Sequence, residues 1–266
     1  DSGIYQEFVV EKLANNKSKE QLDYENFVTK MKKPVFMKEG PLKGLKKVSQ
    51  LAPDNPIKTF VVERRIPNIY HAKLFACPNF MHFTNNLVPD KFSAASLAYD
   101  ETRLLIPFLT RDKTVHAFQG RSLKRSSSVK YVTIILDDTI PKVYGLDTVD
   151  NSRTVPVLEG PIDSMFIPNA IAVAGAGFDI KFIQAIKDNA TLIMDNEPRS
   201  PQICKFIEKL IDEDYSVCLW PENIQEKDIN DMVLHGKDIN TIMDTINTNT
   251  FQGMAAKLRF TEWRKC

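Results

Sequence analysis

From about residue 154 onward, short apolar runs alternate with stretches of helical periodicity, and this order constrains the fold more than any other feature of the chain. Segments 155–158, 171–174, 191–194 and 217–220 read as strands. Segments 163–169 and 201–212, the stretch marked by Phe182, Ile183 and Ile186, and segments 228–234 and 238–246 read as helices. A β-α-β-α order requires crossover connections, and these argue for a largely parallel sheet with helices on both faces.

The first part of the chain follows a different pattern. Apolar positions at helical spacing over 4–31 predict two helices, broken near 15–18. The Lys-rich stretch 32–49, with Pro34 and Pro41, reads as a linker, or more sharply as a DNA-contacting arm. Asp54 is placed to cap a helix running to about Arg65, which Ile66-Pro67 would end. The next forty residues read as short strands and loops. Segments 104–108, 115–119 and 131–136 then read as strands, with a basic, hydroxyl-rich loop from Gly120 to Ser128. The last stretch, 251–266, turns basic again with Met254, Leu258, Phe260 and Trp263 interspersed. It reads as an amphipathic helix docked on the core, with a contact to a partner protein as the sharper alternative.

The expected fold class is therefore α/β: an α+β basic subdomain followed by an α/β subdomain with a mainly parallel sheet. The expected divisions are an arm over 1–49, a basic subdomain over 50–150, the α/β subdomain over 151–235 and a helical segment over 236–266.

Charge follows the same division. The formal net charge is only +1, but residues 1–150 hold 23 basic and 17 acidic side chains, whereas residues 151–266 hold 12 and 17. No apolar run approaches the ~20 residues needed to span a bilayer, and there is no basic-then-apolar N-terminal signal. The four cysteines are widely spaced without a C-x-x-C, and the four histidines do not cluster, so a zinc site is not expected in this chain. Reduced cysteines in a cytoplasmic setting are the expectation. The chain begins at Asp1 and its first methionine is Met31, which suggests a fragment or a processed product.

Acidic residues gather where the strands of the second half end. Glu159 follows the first strand, with Asp163 four residues on, one helical turn away if a helix starts near Gly160. Asp195 and Glu197 follow the third strand, and Asp228 and Asp231 follow the fourth after a loop. Ligands of open α/β sheets bind beyond the carboxyl ends of the strands. Oxygen-only donors suit Mg²⁺ or Mn²⁺, and crowded carboxylates repel one another until a cation neutralises them. The basic half supplies Arg103, Arg111, Arg121, Lys124, Arg125, Lys130 and Lys142 in or beside its three strands, where they can hold phosphates. Arg121 stands out because Gly120 before it would let a ligand approach the backbone. Gly175-Ala176-Gly177 lacks the third glycine of a dinucleotide fingerprint, Ile180 standing there, and serves better as a strand-to-helix turn.

Leu158-Glu159-Gly160-Pro161-Ile162-Asp163-Ser164, Asp195-Asn196-Glu197 and Lys227-Asp228-Ile229-Asn230-Asp231 together resemble the TOPRIM signature of bacterial-type primases, topoisomerases and some nucleases. Arg103 to Phe108, Phe118-Gln119-Gly120-Arg121 and Lys130-Tyr131 resemble the polymerase-core motifs of the primases alone. The combination is similar to the primases of T4-like phages from about residue 50 to the end.

The resemblance implies an enzyme, a DNA-directed RNA polymerase making short RNA primers on single-stranded DNA from ribonucleoside triphosphates with two or more Mg²⁺ or Mn²⁺ ions. It implies Glu159 as the central catalytic carboxylate and Asp195 and Glu197 as Mg²⁺ ligands, with Asp163, Asp228 and Asp231 completing the cluster. Arg103, Arg121, Lys130 and Lys142 would hold template or nucleotide phosphates. A replicative helicase is the implied partner, in the host cytoplasm if the chain is phage-encoded. The sequence departs from the family pattern in having Asp195-Asn196-Glu197 for Asp-x-Asp and in lacking the N-terminal cysteine-rich zinc module. The alternatives are a TOPRIM nuclease or recombination mediator, and a non-catalytic helicase-associated module.

Overall fold

The computed structural model describes residues 40–124, 127, 129–174 and 180–266. The helices expected over 4–31, the first part of the Lys-rich stretch, Arg125 and the Gly175-Ala176-Gly177 turn lie outside the described residues.

The basic half is built on an antiparallel sheet of β1 (Lys46–Lys47), β2 (Phe75–Cys77), β3 (Arg103–Leu109), β4 (Val115–Ser122) and β5 (Tyr131–Ile135), in that spatial order. Two departures from expectation stand out. Lys46 and Lys47 are not linker but an edge strand, where lysines discourage pairing with another chain. Gly120, Arg121 and Ser122 are not loop but the end of β4, because Arg103, Leu104 and Leu105 of β3 pair with them. Their turn-like composition yields to the ladder. β3 and β4 are buried along their whole length, on both faces.

The first helix, α1 (Pro56–Glu63), is capped by Asn55, whose side chain accepts from the Ile57 amide, and not by Asp54. Proline at its start suits this geometry. The stretch expected as strands and loops contains two helices, α2 (Phe80–Leu87) and α3 (Ala94–Leu97). The Asp100 carboxylate accepts from the Met81 and His82 amides at 2.8 and 2.9 Å, so α2 starts on a partner about twenty residues away.

The second sheet is ordered β10-β9-β8-β6-β7 from β6 (Val155–Leu158), β7 (Ile171–Ala172), β8 (Ala190–Ile193), β9 (Ser216–Cys218) and β10 (Thr250–Phe251). Its pairings are parallel except for the antiparallel edge strand β10. The expected helices are present as α4 (Pro161–Ser164), α5 (Ile180–Ala185), α6 (Pro201–Asp212), α7 (Ile229–Leu234) and α8 (Ile239–Thr248), followed by α9 (Gly253–Trp263). The first of these is shorter than expected; the chain reverses at Asn169, which sits at φ 58°. Val157, Leu192 and Val217 from the strands form one core with Ile207 and Leu210 of α6 and Ala256, Phe260 and Trp263 of α9. Segment 236–266 is thus continuous with the second sheet, giving it both an edge strand and a covering helix.

All four cysteines are free, and no described helix is long and apolar enough to cross a membrane.

Candidate active site

Chain direction locates the site. From β6 the chain crosses to β7 on one side, and from β8 it crosses to β9 on the other, although β6 and β8 are hydrogen-bonded neighbours. Their carboxyl ends therefore flank a crevice at a topological switch point. A small open cleft lies there, lined by Glu159, Gly160, Asp163, Asp195, Trp220 and Asp228 among others. The Trp220 indole donates to the Met194 carbonyl at 2.8 Å and ties the end of β9 to the end of β8.

Burial and repulsion among these carboxylates raise their proton affinity. Glu159 is pushed up to about 7, first by burial and then by Asp195 and Glu197, with Lys227 opposing. Asp195 is pushed up to about 6 by burial, with Asp228 and Glu197 adding and Lys227 opposing. Asp163 is raised by burial and then by Asp228; Asp228 is raised by burial, with the hydrogen bond from the Asp231 amide opposing. Such a concentration of uncompensated negative charge is the environment a divalent cation relieves.

Two of the six predicted acids have structural duties. Asp163 accepts from the Asn230 amide at 2.9 Å, and Asp228 caps α7 by accepting from the Asp231 amide at 2.7 Å. Asp231 sits in the first turn of α7 and does not line the cleft. Lys227, whose importance the sequence reading missed, bridges Glu197 at 2.9 Å and Asp195 at 3.5 Å. Among the described residues, no three His, Cys, Asp or Glu side chains converge closely enough to form a ready coordination shell. Of the six expected acids, Glu159, Asp163, Asp195 and Asp228 line the cleft, and Glu197 shares Lys227 with Asp195.

Asn196 was also missed. Its amide donates to the Lys227 carbonyl at 2.6 Å, and its side chain donates to the Ile224 and Glu226 carbonyls and accepts from the Trp263 indole. One residue thereby fastens the 195–197 turn to the 224–227 loop and to α9. The signal available in sequence was an amide standing where the signature leaves its middle position open.

The basic residues divide sharply. Arg103 is only 3% exposed; it donates to the Gly120 and Val129 carbonyls at 3.1 Å and pairs with Glu101 at 2.8 Å. Its guanidinium joins β3, β4 and the loop before β5, while its Nε has no hydrogen-bond partner. Arg111 donates to the Val149 carbonyl, and Lys124 is exposed beside Glu101. Arg121 is only 7% exposed, yet its Nε and Nη1 have no hydrogen-bond partner. It lies over the Tyr131 ring at 4.6 Å and the Phe60 ring at 5.8 Å. Buried donors without acceptors are costly, so Arg121 is primed for an anion. Lys130 is exposed and Lys142 half-buried. Gly120 does not admit a ligand: an added Cβ would collide with the Phe80 ring, which fills the space.

The two halves meet around Arg121. Arg64 donates to the Asn230 side chain at 2.8 Å, which returns a bond to the Arg64 carbonyl at 2.7 Å, and Arg65 donates to the Val233 carbonyl. The Tyr131 hydroxyl is raised by burial, opposed by Arg121 and Arg64, and raised further by Asp163 and Asp228. It therefore lies within the electrostatic reach of both the basic and the acidic groups.

No protein-family model matches the chain. Its fold is that of the bacterial-type primase RNA polymerase domain: the chain superimposes on this domain of the Mycobacterium tuberculosis primase DnaG with TM-score 0.57 and 18% identity, covering 77% of this chain and 80% of that one. The zinc-binding and RNA polymerase domains of the Aquifex aeolicus primase give TM-score 0.55 and 16% identity, over 94% and 67%. A DnaG catalytic domain bound to single-stranded DNA gives 0.56 and 15%, over 79% and 76%. In sequence, the chain is 34% identical over 221 residues to the DNA primase of Enterobacteria phage T4. That similarity takes in 82% of this chain, which spans 63% of the length of the T4 protein.

Proposed function

We propose that the chain is the catalytic core of a DNA primase, joining ribonucleotides into short RNA primers on single-stranded DNA. The observation that carries this reading is the juxtaposition of the β6/β8 acidic crevice with Arg121, a buried guanidinium left without acceptors on a separate antiparallel sheet. The likeness to T4 primase and the primase fold support it.

In this reaction the 3′-hydroxyl oxygen of one nucleotide bonds to the α-phosphorus of the next, the bond to the β-phosphate oxygen breaks, and pyrophosphate leaves. Phosphoryl transfer is chiefly a matter of positioning and charge stabilisation. Glu159, Asp195 and Glu197 would hold Mg²⁺ or Mn²⁺, which when bound supplies charge neutralisation and a more reactive hydroxyl. Glu159, at the end of β6 beside the other acids, is placed either to hold the ion or to take the hydroxyl proton. Arg121 would hold a phosphate against the Tyr131 face, while Lys130 and Lys142, and more loosely Lys124, would track the template backbone. Asp163, through Asn230 and Arg64, keeps the acidic and basic halves in register. A replicative helicase, and a zinc module supplied by a longer chain or in trans, complete the proposal, with the host cytoplasm as the place of action.

The test is primer synthesis on single-stranded DNA with ribonucleoside triphosphates and Mg²⁺, the zinc module being added in trans. Short RNA products are expected. DNA cleavage without RNA synthesis would overturn the reading in favour of a TOPRIM nuclease.

A further inference from the structure

Lys227 occupies an unusual place. Among the described residues it is the only side chain forming an ion pair with Asp195 or Glu197. Its backbone is held independently, the carbonyl accepting from the Asn196 amide, so the side chain can leave without the loop moving. Half of that side chain is exposed, which gives the ammonium a route to solvent. An ammonium bridging two carboxylates and a divalent ion bridging the same two cannot share the site.

We propose that Lys227 is a built-in competitor of the divalent ion, seated on the Asp195–Glu197 pair and expelled when the ion binds, so that it sets the metal affinity of the site. This rests on the reading of Asp195 and Glu197 as metal ligands. The lysine offsets part of the pair's charge while the site waits, which favours the folded core. Each divalent ion must then displace a charge already in place, and its apparent affinity falls accordingly. A merely structural lysine predicts the opposite sign, since removing it would loosen the carboxylates and weaken the ion's hold.

The experiment is Mn²⁺ binding to the full chain, followed by electron paramagnetic resonance without nucleotide or DNA. Lys227→Met, which keeps the length and apolar stem but not the charge, is expected to bind Mn²⁺ about five-fold more tightly, as for loss of a partly exposed ion pair. Lys227→Arg is expected to stay near wild type. Unchanged or weaker binding by Lys227→Met overturns the proposal. Asp195→Asn serves as the separate check: if it binds Mn²⁺ as well as wild type, the metal-ligand reading fails, and if it binds poorly while Lys227→Met is unchanged, only the competitor fails. A second measurement needs no substitution. Acetylation of Lys227 in the wild-type protein, read by mass spectrometry, is expected to rise several-fold on adding Mg²⁺ as the amine is released; unchanged or slower labelling overturns the proposal.

Discussion

The antiparallel sheet and the parallel sheet treat their charges in opposite ways. In the antiparallel half, cations are mostly satisfied by the fold: Arg103 by two carbonyls and Glu101, Lys113 by Asp147. Arg121 is buried with two donors to spare, Nε and Nη1, whereas Arg103 keeps one, its Nε. In the parallel half, carboxylates are collected faster than cations answer them, and Glu159 and Asp195 respond by holding protons more tightly. Charges that build the fold are paired, and charges left in surplus mark where chemistry is expected. Formal charge counts do not separate the two; partner lists do.

The sharpest way to break this contrast is at Glu159. Glu159→Gln should leave the fold unchanged and lower primer synthesis by ~10²-fold or more, as for loss of a general base or metal-bound carboxylate. An unaltered rate in a primer assay would remove Glu159 from the chemistry. Next, the two buried arginines should separate. Arg103→Met should cost about 3 kcal/mol of stability, because it strands the Glu101 carboxylate and the Gly120 and Val129 carbonyls. Arg121→Met should cost little or nothing in urea unfolding but weaken nucleotide or template binding. If both arginines unfold the protein equally, surplus donors do not distinguish function from structure here.

The acidic crevice should also show itself against pH. A carboxyl whose folded proton affinity is raised keeps its proton in the folded state after the unfolded chain has lost it. Stability therefore falls as pH rises from the ordinary value of 4.5 to about 7 for Glu159, and levels off above. In EDTA the melting temperature should drop by roughly a few degrees between pH 5 and 7.5. Saturating Mg²⁺ should abolish the drop, and Glu159→Gln should reduce it, leaving the share of Asp195 and Asp163. A melting temperature that instead rises through this window would mean the crevice carries no strain of charge. The smallest effect is expected at Lys130. Lys130→Ala should reduce the salt dependence of single-stranded DNA binding by about 0.7, one phosphate contact's worth. An unchanged slope would place the template elsewhere.

The parallel half was legible from sequence because each signal was local. Strand ends carried acids, α6 was read to the residue, and Asp228 and Asp238 stood as caps where the helices begin. The antiparallel half was read less well because its decisive partners are distant. The cap of α2 comes from Asp100, the end of β4 is set by β3, and Arg103 finds its acceptors across two strands. The same reason hid Lys227 and Asn196 within the site. Their meaning lies in what the 224–227 loop folds back to touch, and neighbouring letters do not record it. Motif order placed the acidic residues; it did not show that Asp163 and Asp228 were partly engaged in supporting α7.

The contact between Gly120 and Phe80 also dictates an order of events in the history of such a chain. Phe80 is fully buried, and its ring stands where any side chain at position 120 would begin. A lineage that acquires even a methyl group at 120 before trimming position 80 crosses a state of overpacking costing ~1–3 kcal/mol. One that trims position 80 first opens a cavity and loses a comparable amount or more. Each position thus guards the other, and the residue beside Arg121 is held to glycine by an aromatic ring forty positions away.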